Sequence, residues 1–117
     1  MFLQLSHTKK PIYKDSKELV AECYRLTAVF PKEEKFAMVS QIRRAALSVH
    51  LNIAEGCSRR SEAERKRYFE IARGSVIEVD AAIGIAFNLE FFNIESLSKL
   101  EILIISCFKQ LSALIGK

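Results

Sequence analysis

The chain has 117 residues, half of them apolar, with 18 Lys+Arg against 14 Asp+Glu for a net charge of +4, and only 4 Gly and 2 Pro. That length excludes two independent domains and suffices for a core without disulfides or metal, since a chain of this size buries roughly 65% of the surface it would expose unfolded. So little Gly and Pro excludes a turn-rich β fold, and helices are expected throughout.

The first predicted helix covers about residues 12–29, where Ile12, Ser16, Leu19, Cys23, Leu26 and Phe30 recur every three or four positions as one seam. Pro31 disfavours the helical conformation at Phe30 and suits the first turn of a new helix, with Glu33 and Glu34 at the positive end of its dipole. The second helix, about 32–55, carries Met38, Ile42, Ala46, Val49 and Ile53 on its seam and is expected to stop at Gly56 in the left-handed conformation. Ser61-Glu62-Ala63-Glu64 matches the S-x-x-E capping box and opens a third helix over about 61–89, with Phe69, Ala72, Val76, Val79, Ile83 and Ala86 as its seam. Phe91-Phe92-Asn93-Ile94 breaks the pattern, and Leu97, Leu100, Ile104, Cys107, Leu111 and Leu114 restore it in a fourth helix over about 95–115. Connections this short place successive helices antiparallel, so the expected fold is all-α: a single up-down-up-down four-helix bundle spanning residues 1–117.

The fourth helix is too apolar for one stripe, because Ile102, Leu103, Ile104 and Ile105 are consecutive and Phe108 and Ile115 widen the arc. Either aromatic side chains of the third helix close a wide core seam over it, or a second subunit covers the extra face. Gly74 and Gly84 inside the third helix, with Ala45, Ala46, Ala72, Ala81 and Ala82, suggest close helix approach, since an interior Gly otherwise costs about 1 kcal/mol relative to Ala.

Two polar constellations stand out. Gln41, Arg44, Ser48, Asn52 and Glu55 share a face of the second helix, and antiparallel pairing sets its start opposite Ser75 and Glu78 of the third, with Arg44 and Glu78 as an expected charge pair. This line reads as an inter-subunit seam, a binding site or a solvated face. The second constellation is basic: Arg43, Arg44, Arg59, Arg60, Arg65, Lys66, Arg67 and Arg73. Residues 1–73 hold 15 Lys+Arg against 9 Asp+Glu, and residues 57–68 alone hold five positive and two negative side chains. Guanidinium forks suit phosphate oxygens, and Tyr68 offers a stacking face, which together point to RNA or DNA. Interleaving with Glu62, Glu64 and Glu70 supports the opposing view of a solvated helix with local ion pairs.

Nothing suggests catalysis. His7 is expected in a loose amino-terminal segment and His50 on a helix surface without the E-x-x-H partner of a helical metal site, so neither a metal nor another cofactor is expected. Cys23, Cys57 and Cys107 are odd in number and widely spaced, as buried or half-buried thiols of a reducing compartment would be. The amino terminus lacks the order of a secretory signal and no apolar run reaches the roughly 20 residues of a spanning helix, so a cytoplasmic location is expected, with no membrane and no small-molecule substrate.

Several of these residues together resemble the bacterial "four helix bundle protein" family, whose members are often labelled 23S ribosomal RNA intervening-sequence proteins. The resemblance rests on Thr27-Ala28-Val29-Phe30-Pro31, Gln41-Ile42-Arg43-Arg44-Ala45-Ala46, Ser48, Asn52-Ile53-Ala54-Glu55-Gly56, Arg59, Tyr68-Phe69 and Ala72-Arg73-Gly74-Ser75 with Glu78, over about residues 12–115. It implies a barrel-shaped homopentamer of such bundles with a binding or scaffold role and no enzymatic activity. It also implies kinship with the accessory variability proteins of diversity-generating retroelements, which bind a reverse transcriptase and its RNA.

Overall fold

The computed structural model describes residues 2–116, and among them four α-helices and three short 3-10 turns account for the regular structure. Helix α1 spans Pro11–Thr27, α2 Met38–Ser58, α3 Glu62–Asn88 and α4 Ser98–Gly116. The predicted seams face inward, with Met38, Leu97, Ile104 and Leu114 only half-buried against the core. Leu19, Cys23, Ile42, Val49, Ile53, Val76, Val79, Leu100, Cys107 and Leu111 are all buried, and the core they form is continuous across the four helices.

Each helix packs on two neighbours, α1 on α2 and α4, and α3 on α2 and α4. Ser16 meets His50 and Thr27 meets Arg43 between α1 and α2; Ser48 meets Ser75 and Gln41 meets Glu78 between α2 and α3. Arg73 reaches Ser112 between α3 and α4, while Phe87 and Leu97 wall one cavity there. Between α4 and α1, Asp15 accepts from Ser106 and Gln110 while Lys99 pairs with Glu18 and Glu22. In each pair the numbering rises along one helix as it falls along the other.

The connections differ from expectation. Helix α2 begins at Met38 instead of residue 32, because Lys32–Glu34 closes a 3-10 turn and Ala37, at φ −121° and ψ −100°, interrupts the helical run. Glu34 still serves α2, its carboxylate accepting from the Met38 N–H at 3.4 Å. Phe30 is buried and stacks on Phe92 with ring centroids 5.9 Å apart, which ties this connection to the one between α3 and α4. Helix α3 opens on the expected cap, Ser61 Oγ accepting from the Glu64 N–H at 3.1 Å. It closes in a Schellman turn, with Phe91 N–H on the Ala86 carbonyl, Glu90 N–H on the Phe87 carbonyl, and Glu90 at φ 61° in the left-handed position that Gly usually fills. Another 3-10 turn, Ile94–Leu97, delays α4 to Ser98.

Gly56 acts by a different physical route from the one predicted. It has no positive φ, and α2 continues through it to Ser58. A Cβ there would lie 2.9 Å from Phe69 Cε1 and 3.0 Å from Tyr68 Cβ, so its lack of a side chain lets α2 and α3 close together beside their connection. Gly74 and Gly84, the two positions expected to mark close approach, would each place a Cβ in open space within this chain.

The width of α4 is only partly absorbed by the core. Leu103 is buried and Ile104 half-buried, but Ile102, Ile105 and Phe108 are 68%, 46% and 40% exposed, so the third helix does not close a seam over them. Ile77 of α3, 54% exposed, joins Ile105 and Phe108 in the wall of an apolar groove between α3 and α4. No helix among the described residues is long and apolar enough to cross a membrane.

Candidate nucleic-acid interface

The connection between α2 and α3 is three residues long, so Arg59 and Arg60 are delivered directly above the first turn of α3, where Arg65, Lys66 and Arg67 follow. Arg65 holds this corner together: its Nη1 donates to the carbonyls of Arg59 at 3.0 Å and Arg60 at 2.6 Å. Arg59 is largely consumed by the fold. Its Nη2 lies 2.9 Å from the Glu55 carboxylate and donates to the Tyr68 hydroxyl at 3.0 Å, and its guanidinium sits 5.0 Å from the Tyr68 ring centroid. Tyr68 therefore already has a cation against its ring. Arg59 Nε is buried with no hydrogen-bond partner among the described residues. Lys66 pairs with Glu62 at 3.5 Å. Arg60 and Arg67 are exposed and their side chains make no ion pair among the described residues.

The remaining basic candidates lie elsewhere on the bundle. Arg43 is turned toward α1, with Nε donating to Thr27 Oγ1 at 2.8 Å, Nη2 donating to the Tyr24 carbonyl at 3.3 Å and the guanidinium 4.4 Å from the Tyr24 ring centroid. Arg73 is turned toward α4, donating to Ser112 Oγ at 3.2 Å near the Phe108 ring. The structure thus gathers Arg59, Arg60, Arg65, Lys66 and Arg67 and separates Arg43 and Arg73 from them.

The polar seam divides in the same manner. Ser48 and Ser75 share a hydrogen bond of 2.8 Å, Asn52 Nδ2 donates to the Ser48 carbonyl at 2.8 Å and to Ser48 Oγ at 3.1 Å, and Gln41 Nε2 donates to the Glu78 carboxylate. Arg44 forms no pair with Glu78; it is exposed, and Glu55 turns to Arg59 instead. At 100° per residue, Gln41, Ser48 and Asn52 fall within about 40° of one another, whereas Arg44 is about 60° and Glu55 about 40° to one side of Gln41. Gln41 and Ser48 bond to α3, and Asn52 supports Ser48 from within α2.

Both histidines lie more deeply than the sequence placed them. His50 is half-buried between α1 and α2: its Nδ1 is 2.7 Å from Ser16 Oγ, and its ring centroid is 4.6 Å from that of Tyr13. Ser16 Oγ also lies 3.0 Å from the Tyr13 carbonyl, so the one hydroxyl bridges α1 backbone and the His50 ring. Burial, aided by the charge of Lys17, pulls the His50 pKa below its ordinary 6.5. His7, expected in a loose segment, is buried in the 3-10 turn Ser6–Lys9 with its ring edge toward Tyr13. The only signal that could have located His50 is its spacing of 7 from Arg43, another residue on the α1-facing side of α2. Among the described residues no group of three or more His, Cys, Asp or Glu is placed to hold a metal ion. Burial pushes the Cys23 and Cys107 thiols up to about 12.

A family model described as 23S rRNA-intervening sequence protein matches residues 8–113. The fold is similar to that of a crystallised protein of unknown function from the S23 ribosomal protein family of Bacteroides thetaiotaomicron, with a TM-score of 0.80 at 20% identity over 91% of this chain and 99% of that one. No curated protein matches in sequence.

Proposed function

Because the chain belongs to the 23S rRNA-intervening sequence protein family, we propose that it is a non-enzymatic, up-down-up-down bundle that assembles with copies of itself into a ring and binds RNA or DNA. The observation that carries the binding reading is the corner at the start of α3. Arg65 locks the connection through two backbone carbonyls while Arg60 and Arg67 stay exposed without carboxylate partners. Exposed, unpaired guanidiniums on a rigid corner are suited to phosphate oxygens, because little ordering is needed when the anion arrives. Ring formation is supported by the exposed apolar groove of α3 and α4 and by Gly74 and Gly84, whose open surfaces would let a second backbone approach. Five copies, the number the family resemblance implies, would present five such corners, and their joint affinity rises through effective concentration without any new interaction at a single corner.

The test is binding of the purified oligomer to labelled structured RNA and duplex DNA over a salt series. The expected result is a steep linear fall of log affinity with log salt. In Arg60→Gln/Arg67→Gln the slope is expected to shrink by about 1 for each phosphate that a removed guanidinium had neutralised, with an unchanged melting temperature. Arg59 and Arg65 are unsuitable as first probes, since both also hold the α2–α3 connection. No binding at low salt would overturn the nucleic-acid reading and favour a scaffold that docks a protein, a reverse transcriptase being one partner to test.

A further inference from the structure

A cavity of about 360 Å³ opens at the end of the bundle where α1 and α3 begin and α2 and α4 finish. Its size falls within the range of small-molecule sites. Pro11, Ala113 and Leu114 give it apolar surface over the buried Ile12 and Phe69, and among the described residues Lys10 and Arg65 are the charged ones that line it, with no carboxylate beside them. Lys10 is exposed and makes no ion pair among the described residues. Arg65 is fixed through Nη1 alone, by the backbone carbonyls described above. Both cations act on one point inside the cavity, the Cys57 thiol: burial pushes that thiol up, and the charges of Lys10 and Arg65 oppose the rise.

Apolar walls with two cations and no anion call for a ligand that is itself divided. A nucleic-acid backbone would satisfy the cations but leave the apolar surface of Pro11, Ala113 and Leu114 in water, and a neutral hydrocarbon would do the reverse. We propose that this cavity binds a free medium-chain carboxylate, with its hydrocarbon chain against Pro11, Ala113 and Leu114 and its carboxylate between Lys10 and Arg65. Hydrophobic burial supplies affinity, and the charge-assisted contacts fix which end of the ligand faces out. Neither Arg60 nor Arg67 lines the cavity, so the proposal does not depend on the nucleic-acid reading.

Cys57 supplies the readout, because Cys23 and Cys107 are buried and Cys57 is only half-buried. Alkylation of Cys57 by iodoacetamide would be followed by peptide mass in the full chain, with octanoate, decanoate, decanol or vesicles of anionic phospholipid added. Decanoate is expected to protect Cys57 saturably, octanoate to need about fifteenfold more for its two fewer methylenes, and decanol to protect far less. Lys10→Gln is expected to weaken protection by decanoate about tenfold. Arg60→Gln/Arg67→Gln should protect like the parent even if its RNA binding is lost. Unchanged alkylation in decanoate would overturn the proposal, as would equal protection by decanol, or protection by vesicles alone. Circular dichroism melting of each variant confirms that accessibility changes are read on folded protein, and a rise in melting temperature with decanoate gives an independent measure of binding.

Discussion

His50 is the residue whose chemistry differs most from its position in the sequence. On a helical wheel it is one more polar residue of α2, yet Tyr13 and Ser16 enclose it from α1 and Lys17 lies close enough to oppose its charge. Its folded pKa lies below the unfolded value of 6.5, so the unfolded chain takes up the proton first. The stability that neutral His50 contributes is therefore fully present above that value and is lost as pH falls through the folded pKa. The melting temperature is expected to drop as pH falls below about 6.5, and His50→Gln is expected to flatten that drop while lowering the value at neutral pH slightly, through the altered bond to Ser16. A parent and variant with parallel pH profiles would show that other groups govern acid stability.

At the scale of elements, the packing of α2 on α3 depends on where side chains are missing. Gly56 leaves no room for even a methyl group, since Phe69 and Tyr68 occupy the space a Cβ would take. Gly56→Ala is expected to force these helices apart and cost about 1–3 kcal/mol in denaturant unfolding. Gly74 is the opposite case. With nothing within 4 Å of a Cβ there, Gly74→Ala should stabilise the isolated chain by up to about 1 kcal/mol through helix propensity alone. If a neighbouring subunit packs on that surface, the same change should weaken assembly instead, so sizing and melting of this one variant separate the two cases. The seam of Ser48, Asn52 and Ser75 adds direction to the contact, because hydroxyl and amide groups at a half-buried surface favour the register in which they are mutually satisfied.

The whole molecule carries its unevenness on the surface. The basic corner lies where α2 passes into α3, and the apolar groove lies between α3 and α4, with Ile77, Ile105 and Phe108 in its wall and Ile102 exposed on α4. An apolar surface of this kind is costly to leave in water, and covering it by a second copy removes that cost. Ile102→Lys/Ile105→Lys should leave the core untouched, because both side chains already point outward, and should reduce the oligomer to smaller species by light scattering. Unchanged mass would mean that the groove is not a subunit contact. If the ring forms, loss of assembly should also weaken nucleic-acid binding far more than any one corner contributes, since the benefit of linked corners disappears with the linkage.

The sequence by itself determined the helices and their inward faces, because the spacing of Leu19, Ile42, Val76 and Leu111 with their neighbours is a local, periodic property that any helical backbone converts into a buried stripe. It also determined the cap at Ser61, where the signal and its partner Glu64 are three residues apart. Tertiary structure alone decided which polar residues of α2 meet α3, since about 60° of helical rotation separates Gln41, which reaches Glu78, from Arg44, which does not. It likewise decided that Gly56 is a packing glycine, that Arg59 is held by Glu55 and Tyr68 while Arg60 and Arg67 stay exposed, and that Ile102 is left uncovered by its own chain. Each of these depends on what lies across an interface from residues distant in the chain, and periodicity along one helix carries no record of its neighbour's surface.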